Sequence, residues 1–404
     1  MRGTMPSILR INTVFRCILL GVLRSMVEQI PINPTLLIWA RERAGMSREE
    51  ASRRFGKLAE WEAGESSPSY PQLEKLSDVF KVPVAVFFFP EPPNVPSINE
   101  TFRTLPEAEL EELPSRIRLL MRKAKAMQMN LAELTQGRNP ATRLITRDLE
   151  FPPDVDIAAM ASTIRSYIGV SVEDQTKWRD DETALKEWRS ALLKAGIFVF
   201  KDAFRLEDFS GFCLYDSEFP IIYVNNTSTK MRQIFTYFHE LAHLIFHTSG
   251  VDIINDGYIS RLTGRSQRIE ILCNRFASYF LVPDEAFDRA VGDREATEET
   301  ATSVAAQLHV SREVIFRRFL DNGQVDSNRY RKTVEHWNNQ RKKPSRPGGN
   351  PYWTTLSYLG HDYVSLALKQ YHQNKIDENQ LADYLNTKPK HILTLEEYFE
   401  RGSA

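Results

Sequence analysis

The chain has 404 residues, 42% of them hydrophobic and 26% charged, with a formal net charge of -1. That length exceeds one ordinary core and calls for two or three domains, and the near-neutral balance excludes a global electrostatic field for nucleic acid. The three cysteines, Cys17, Cys213 and Cys273, have no CxxC spacing. This excludes a disulfide framework or a thiolate zinc site and fits a reducing, cytoplasmic compartment. No apolar run is long enough to span a bilayer, so no membrane partner is expected.

Residues 1–26 contain "RINTVFRCILLGVLRS", a short apolar stretch with basic flanks that weakly resembles a signal peptide but lacks a small-residue cleavage site. They are read as an extension ahead of Met26. Residues 27–95 follow as short helices. "PTLLIWARERAG" puts Leu36, Leu37 and Ala40 on one face and stops at Gly45; Ser47 caps the next helix, with Glu50 placed for a capping box. "SYPQLEKLSDVF" is a third amphipathic segment, and Leu37, Ala40, Phe55, Trp61, Leu73, Leu76 and Phe80 form the expected core of this unit. The apolar, proline-rich "PVAVFFFPEPPNVP" closes it.

A helical connector is expected over 96–154, with a charged helical stretch from Glu107 to Gln136. From Val155 to Leu193 the period is again helical. It then shortens: "GIFVFKD", "FSGFCLYD" and "PIIYVNN" read as an antiparallel sheet within a domain spanning 155–325. Ser228 or Thr229 caps the helix that follows, and only helices are expected after Pro283. Residues 326–350 end in a basic, Pro/Gly-rich stretch with Arg341, Lys342, Lys343 and Arg346, and read as a linker. Residues 351–404 form a small helical C-terminal domain. The expected class is α+β.

The chemistry concentrates in "FTYFHELAHLIFH", Phe235 to His247. On a helix, His239 and His243 lie on one face one turn apart and direct two imidazoles at one ion, while Glu240 stands beside them as a base for metal-activated water. Ile234, Phe238, Leu241, Ala242 and Ile245 set this helix against a core. Two histidines need a third protein ligand, and the best candidate is Glu270 in "RIEILCNRFASYFLVP", with Asn274 one turn later to hold a free imidazole nitrogen. His247, a further four residues on, lies too far around and along the helix to reach the same ion, and is expected at the helix end or behind the ligands.

These segments, from Val155 to Asn322, resemble the ImmA/IrrE metallo-endopeptidases. The resemblance implies zinc held by His239, His243 and Glu270, with Glu240 as general base, and cleavage of a transcriptional repressor under stress or mobile-element induction. The family's usual Ala-Asn is Cys273-Asn274 here. In zinc peptidases of this plan a sheet edge beside the catalytic helix pairs with an extended peptide, and "PIIYVNN" is read as the strand that matters for substrate. Tyr258, Arg261 and Arg268 are candidates for stabilising the oxyanion.

Residues 33–93 resemble an XRE (Cro/C1-type) helix-turn-helix domain, with a departure. Between Phe55 and Trp61 there is room for only about one helical turn, where the usual module has a turn and most of a recognition helix. Arg53, Arg54 and Lys57 are the candidate DNA contacts; Glu60, Glu62 and Glu65 stand against the phosphates. Two readings result: a zinc endopeptidase acting on a regulatory protein, or a DNA-binding regulator whose peptidase-like domain is a sensor or docking surface. An intact base at Glu240 favours the enzyme, and the short recognition segment counts against DNA reading. A homodimer is compatible with either.

Overall fold

The computed structural model describes residues 29–80, 82–93, 113–152, 154–248, 251–253, 264–339 and 349–403. Cys17 and the stretch before Met26, Tyr258, Arg261, and the basic run Arg341, Lys342, Lys343 and Arg346 lie outside the described residues. The chain divides into two compact units. The first is 1–100 with 112–119; the second is 101–111 with 120–404.

The first unit holds α1 (Pro34–Arg43), α2 (Arg48–Ser52), α3 (Leu58–Ala63) and α4 (Tyr70–Phe80), followed by a 3₁₀ turn over Val84–Phe88. All seven expected core residues are buried together, joined by Ala51, Leu58 and Phe87. Gly45 ends α1 with φ of +69°, a backbone conformation that L side chains rarely adopt. The Ser47 hydroxyl accepts from the Glu50 amide at 3.1 Å. The Glu50 carboxylate accepts from the Ser115 hydroxyl at 3.3 Å.

Helix α5 (Ser115–Leu134) contributes its first residues to the first unit and those from Leu120 onward to the second. In the second unit come α6 (Ile145–Asp148), α7 (Ile157–Ile168), α8 (Val172–Lys177) and α9 (Asp181–Lys194), then β1 (Phe198–Asp202), β2 (Phe209–Leu214) and β3 (Ile221–Asn225). Next are α10 (Lys230–Ile245), β4 (Val251–Ile253) and α11 (Gly264–Leu281). Helices α12 (Asp284–Val291), α13 (Glu298–Leu308), α14 (Arg312–Asp321) and α15 (Ser327–Asn339) follow. The last elements are α16 (Pro351–Leu359), α17 (His361–His372), α18 (Glu378–Tyr384) and α19 (Ile392–Ser403). The α+β class stands, helical apart from one small sheet.

The sheet departs from expectation in three ways. Its order is β1-β3-β2-β4, and β1 runs parallel to β3, so it is mixed rather than antiparallel. β2 pairs antiparallel with both β3 and β4. The strand "PIIYVNN" is therefore interior, with both its ladders occupied, and cannot be the edge that receives a peptide. β4 is an added edge strand of three residues, too short for its alternation to be read. The linker expected over 326–350 also changes: residues 327–339 are α15, with Tyr330, Val334 and Trp337 at helical spacing against the core. The composition of the basic tail had masked this apolar stripe.

The C-terminal helices belong to the same unit as the sheet. Tyr363 meets the Phe200 ring edge-on at 5.2 Å. Arg189 on α9 donates to the Val199 carbonyl of β1 and, at 2.8 Å, to the Ser357 carbonyl of α16. On the other face, Gly211 of β2 carries the approach of α10. A Cβ there would lie 2.5 Å from Thr236 Cγ2 and 2.9 Å from the Tyr223 carbonyl oxygen. Gly211→Ala is expected to cost about 1–3 kcal/mol by overpacking, because α10 must move. A thermal melt measures this; an unchanged midpoint would mean that the helix has slack that the contacts do not show.

Candidate metal centre

The helix that carries the motif is anchored at both ends. At its start the Thr229 hydroxyl accepts from the Arg232 amide at 3.3 Å, which settles the choice of cap. Along its length Ile234, Phe238, Leu241, Ala242 and Ile245 are all buried. Phe238 stacks on Phe280 of α11 with ring centroids 4.1 Å apart, and Trp188 of α9 meets Phe238 at 4.8 Å and Phe280 at 5.5 Å. This aromatic cluster, worth more than its area because the rings are offset or edge-on, locks α10 against α11. The relative placement of residues 239 and 270 is fixed by packing that contains neither.

Across that interface three donors converge. His239 Nε2 lies 3.2 Å from His243 Nε2. The two carboxylate oxygens of Glu270 sit 3.3 Å from His239 Nε2 and 3.1 Å from His243 Nε2. Among the described residues these three form the one cluster of His, Cys, Asp and Glu able to share a metal ion. Both histidines are almost fully buried, and so is Glu240, at 0% exposure. Burial alone would raise the Glu270 carboxyl. The imidazoles, His243 foremost, override this and hold it well below the usual carboxylate range.

The far sides of the imidazoles are held as well. Asn274, one turn beyond Glu270, places its side-chain oxygen 3.1 Å from His239 Nδ1. For His243 the partner is Thr248, whose hydroxyl is 3.3 Å from Nδ1. Thr248 escaped the sequence reading: its only signal is a small hydroxyl residue just past a helix end, which is common. His247 is not part of the cluster. It leaves the helix in the left-handed region at φ +54°, and its Nε2 donates to the Thr146 carbonyl at 3.2 Å. Arg268 is exposed on α11.

In the first unit Arg53, Arg54 and Lys57 are exposed in and beside the turn between α2 and α3. α3 has six residues, and its exposed positions are Ala59 and Ala63. Glu62 does not stand against phosphates as expected. It is buried, accepting from Arg41 Nε at 2.6 Å and lying 3.1 Å from Arg48 Nε. The reason is its position on the inner face of α3, where a buried carboxylate requires paired charge.

Residues 193–320 match a peptidase family model described as the IrrE N-terminal-like domain. The chain carries an IrrE N-terminal-like domain. Residues 37–87 match a helix-turn-helix model, which agrees with α1 to α4 and the turn after them. No curated protein matches the chain. The IrrE N-terminal-like domain contains β1 to β4, both helices of the metal cluster and α12 to α14, so every residue of the cluster and both imidazole-holding residues fall inside the matched span. A domain matching a peptidase family is joined to a helix-turn-helix domain in one chain. Among the described residues, no helix is long and apolar enough to cross a membrane.

Proposed function

We propose that the chain is a zinc-dependent endopeptidase that cleaves a regulatory protein, a transcriptional repressor being the expected substrate. The observation that carries this is the convergence of two imidazole nitrogens, 3.2 Å apart, on one carboxylate, whose two oxygens lie 3.1 Å from His243 Nε2 and 3.3 Å from His239 Nε2. Zinc bonds of about 2.0–2.1 Å at tetrahedral angles separate neighbouring donors by about 3.3 Å. Two imidazoles and one carboxylate also form the donor set of a catalytic zinc with a position left for water. His239, His243 and Glu270 are thus the residues that would hold the ion. Bound zinc supplies water acidified to a pKa of about 7 and polarisation of the scissile carbonyl.

The other steps belong to the protein. Glu240 lies next to His239 on the same helix and takes the proton from the attacking water at its carboxylate. It then delivers that proton to the leaving amide nitrogen. Asn274 orients the His239 ring by accepting from Nδ1. An extended substrate pairs with an edge of the sheet, and β4 is the edge we assign to it, since Arg189 and α16 attend the outer side of β1.

The deciding test is co-expression with repressors encoded nearby, comparing wild type with Glu240→Gln on gels. A fragment produced by the wild type alone, and lost with a zinc chelator, supports the endopeptidase. Identical patterns from both would leave the regulator reading in its place.

The helix-turn-helix domain is assigned weak, sequence-independent DNA affinity. A base-reading helix needs three or four side chains at base edges, and α3 offers two exposed alanines. Arg53, Arg54 and Lys57 suit phosphate contacts, which salt removes. In a selection from random duplexes with the full chain, no motif is expected, and residual binding is expected to vanish as salt rises to physiological strength. Recovery of a motif that survives that salt would make this a DNA-reading peptidase.

A further inference from the structure

We propose that Thr248 is the residue that sets the aim of the His243 ring, and that His247 serves to hold Thr248 in place. Three sets of contacts meet here. First, the Thr248 hydroxyl donates to the His243 carbonyl oxygen at 3.0 Å. That hydroxyl hydrogen is then spent, so toward His243 Nδ1, 3.3 Å away, the oxygen acts as acceptor. An Nδ1 proton is thereby held by Thr248, and Nε2 is turned toward His239 and Glu270. A ligand imidazole carries its one proton on the nitrogen away from the ion, so a partner that accepts there fixes the aim of the ring.

Second, the backbone puts Thr248 there by a specific turn. The Thr248 amide donates to the His243 carbonyl at 2.9 Å and the His247 amide donates to the Leu244 carbonyl at 3.1 Å, the two bonds of a Schellman cap. Such a cap needs a left-handed residue at the position after the helix, and His247 adopts it without being glycine.

Third, the His247 side chain accounts for that choice. Its Nε2 donates to the Thr146 carbonyl at 3.2 Å and its ring lies 4.8 Å from Tyr215. On the other side of the cap, Cys213 Sγ of β2 lies 3.8 Å from the Thr248 carbonyl oxygen. The third histidine of the motif thus anchors the turn that returns Thr248 over the second. The two ligand imidazoles are held in different ways: His239 by an amide from another helix, His243 by the end of its own.

This inference rests on the zinc reading. The test compares wild type, Thr248→Val and Thr248→Ser. Chelator competition reads zinc affinity, and a melt of the metal-free protein reads the helix end. Thr248→Val is expected to weaken zinc binding about ten- to a hundredfold; Thr248→Ser restores it. A residue that merely caps the helix would lower the melting temperature in Thr248→Val but leave zinc affinity unmoved, and that outcome overturns the proposal. So does a serine variant that behaves like valine. If the valine variant does not fold, Thr248→Ala replaces it on the same readouts. Absence of zinc binding by the wild type would sink the metal reading itself, whereas zinc held equally by wild type and Thr248→Val would sink the role of Thr248 alone.

Discussion

Glu270→Ala is expected to remove most of the bound zinc from a protein that remains folded. The carboxylate supplies one of three donors, and its oxygens reach both imidazoles at 3.1 and 3.3 Å. Dividing the roughly 10–16 kcal/mol of a four-ligand zinc site equally gives about 2.5–4 kcal/mol per ligand, or on the order of a hundred- to a thousandfold in affinity. Folding is expected to survive because the packing between α10 and α11 is made by Phe238, Phe280 and Phe276, with Trp188 against them. His247→Ala is the comparison, since its ring bonds the Thr146 carbonyl and lies outside the donor cluster; acting only through Thr248, it is expected to lose less zinc than Glu270→Ala. Metal analysis after dialysis, with a melt for each variant, measures both. Full occupancy in Glu270→Ala together with loss in His247→Ala would reverse the ligand assignment.

Glu240→Gln is expected to keep zinc and lose cleavage. The amide has the carboxylate's size, so the buried position stays filled, but it cannot take up the proton of the attacking water. General-base catalysis contributes about 10²–10⁴-fold, so the variant falls to 1% of wild-type turnover or less. Zinc content near that of wild type distinguishes a missing base from a missing metal. A variant with both zinc and undiminished turnover would move the base to another residue. Together the two substitutions separate holding the ion from using it.

How much of this was legible in the sequence follows from the range of the interactions involved. Helical spacing alone puts His239, Glu240 and His243 side by side, because i and i+4 share a face. The same periodicity picks out Asn274 behind Glu270 and the buried stripe of α10. Capping and turn chemistry were likewise local, as at Gly45, Ser47 and Thr229. The N-terminal core was legible for the same reason: its helices are short and each declares one apolar face.

What tertiary structure decided lies between elements. Strand direction and order are set by which ladders form and what covers them. "PIIYVNN" has the same β-type pattern whether it is central or at an edge, and in the fold it lies between a parallel and an antiparallel neighbour. The three residues of β4 carry too few side chains to show alternation. Glu62 looks like a surface charge until α1 and α2 bring Arg41 and Arg48 to it. The approach of Glu270 to both histidines spans about thirty residues of intervening chain, and it is fixed by rings that make no contact with metal. Thr248 depends on one left-handed residue, His247, whose φ is stabilised by the Thr146 carbonyl about a hundred positions earlier. By itself the sequence determined which side chains could share a helix face; only packing between distant segments could determine which faces meet, because that energy comes from contacts that no local period encodes.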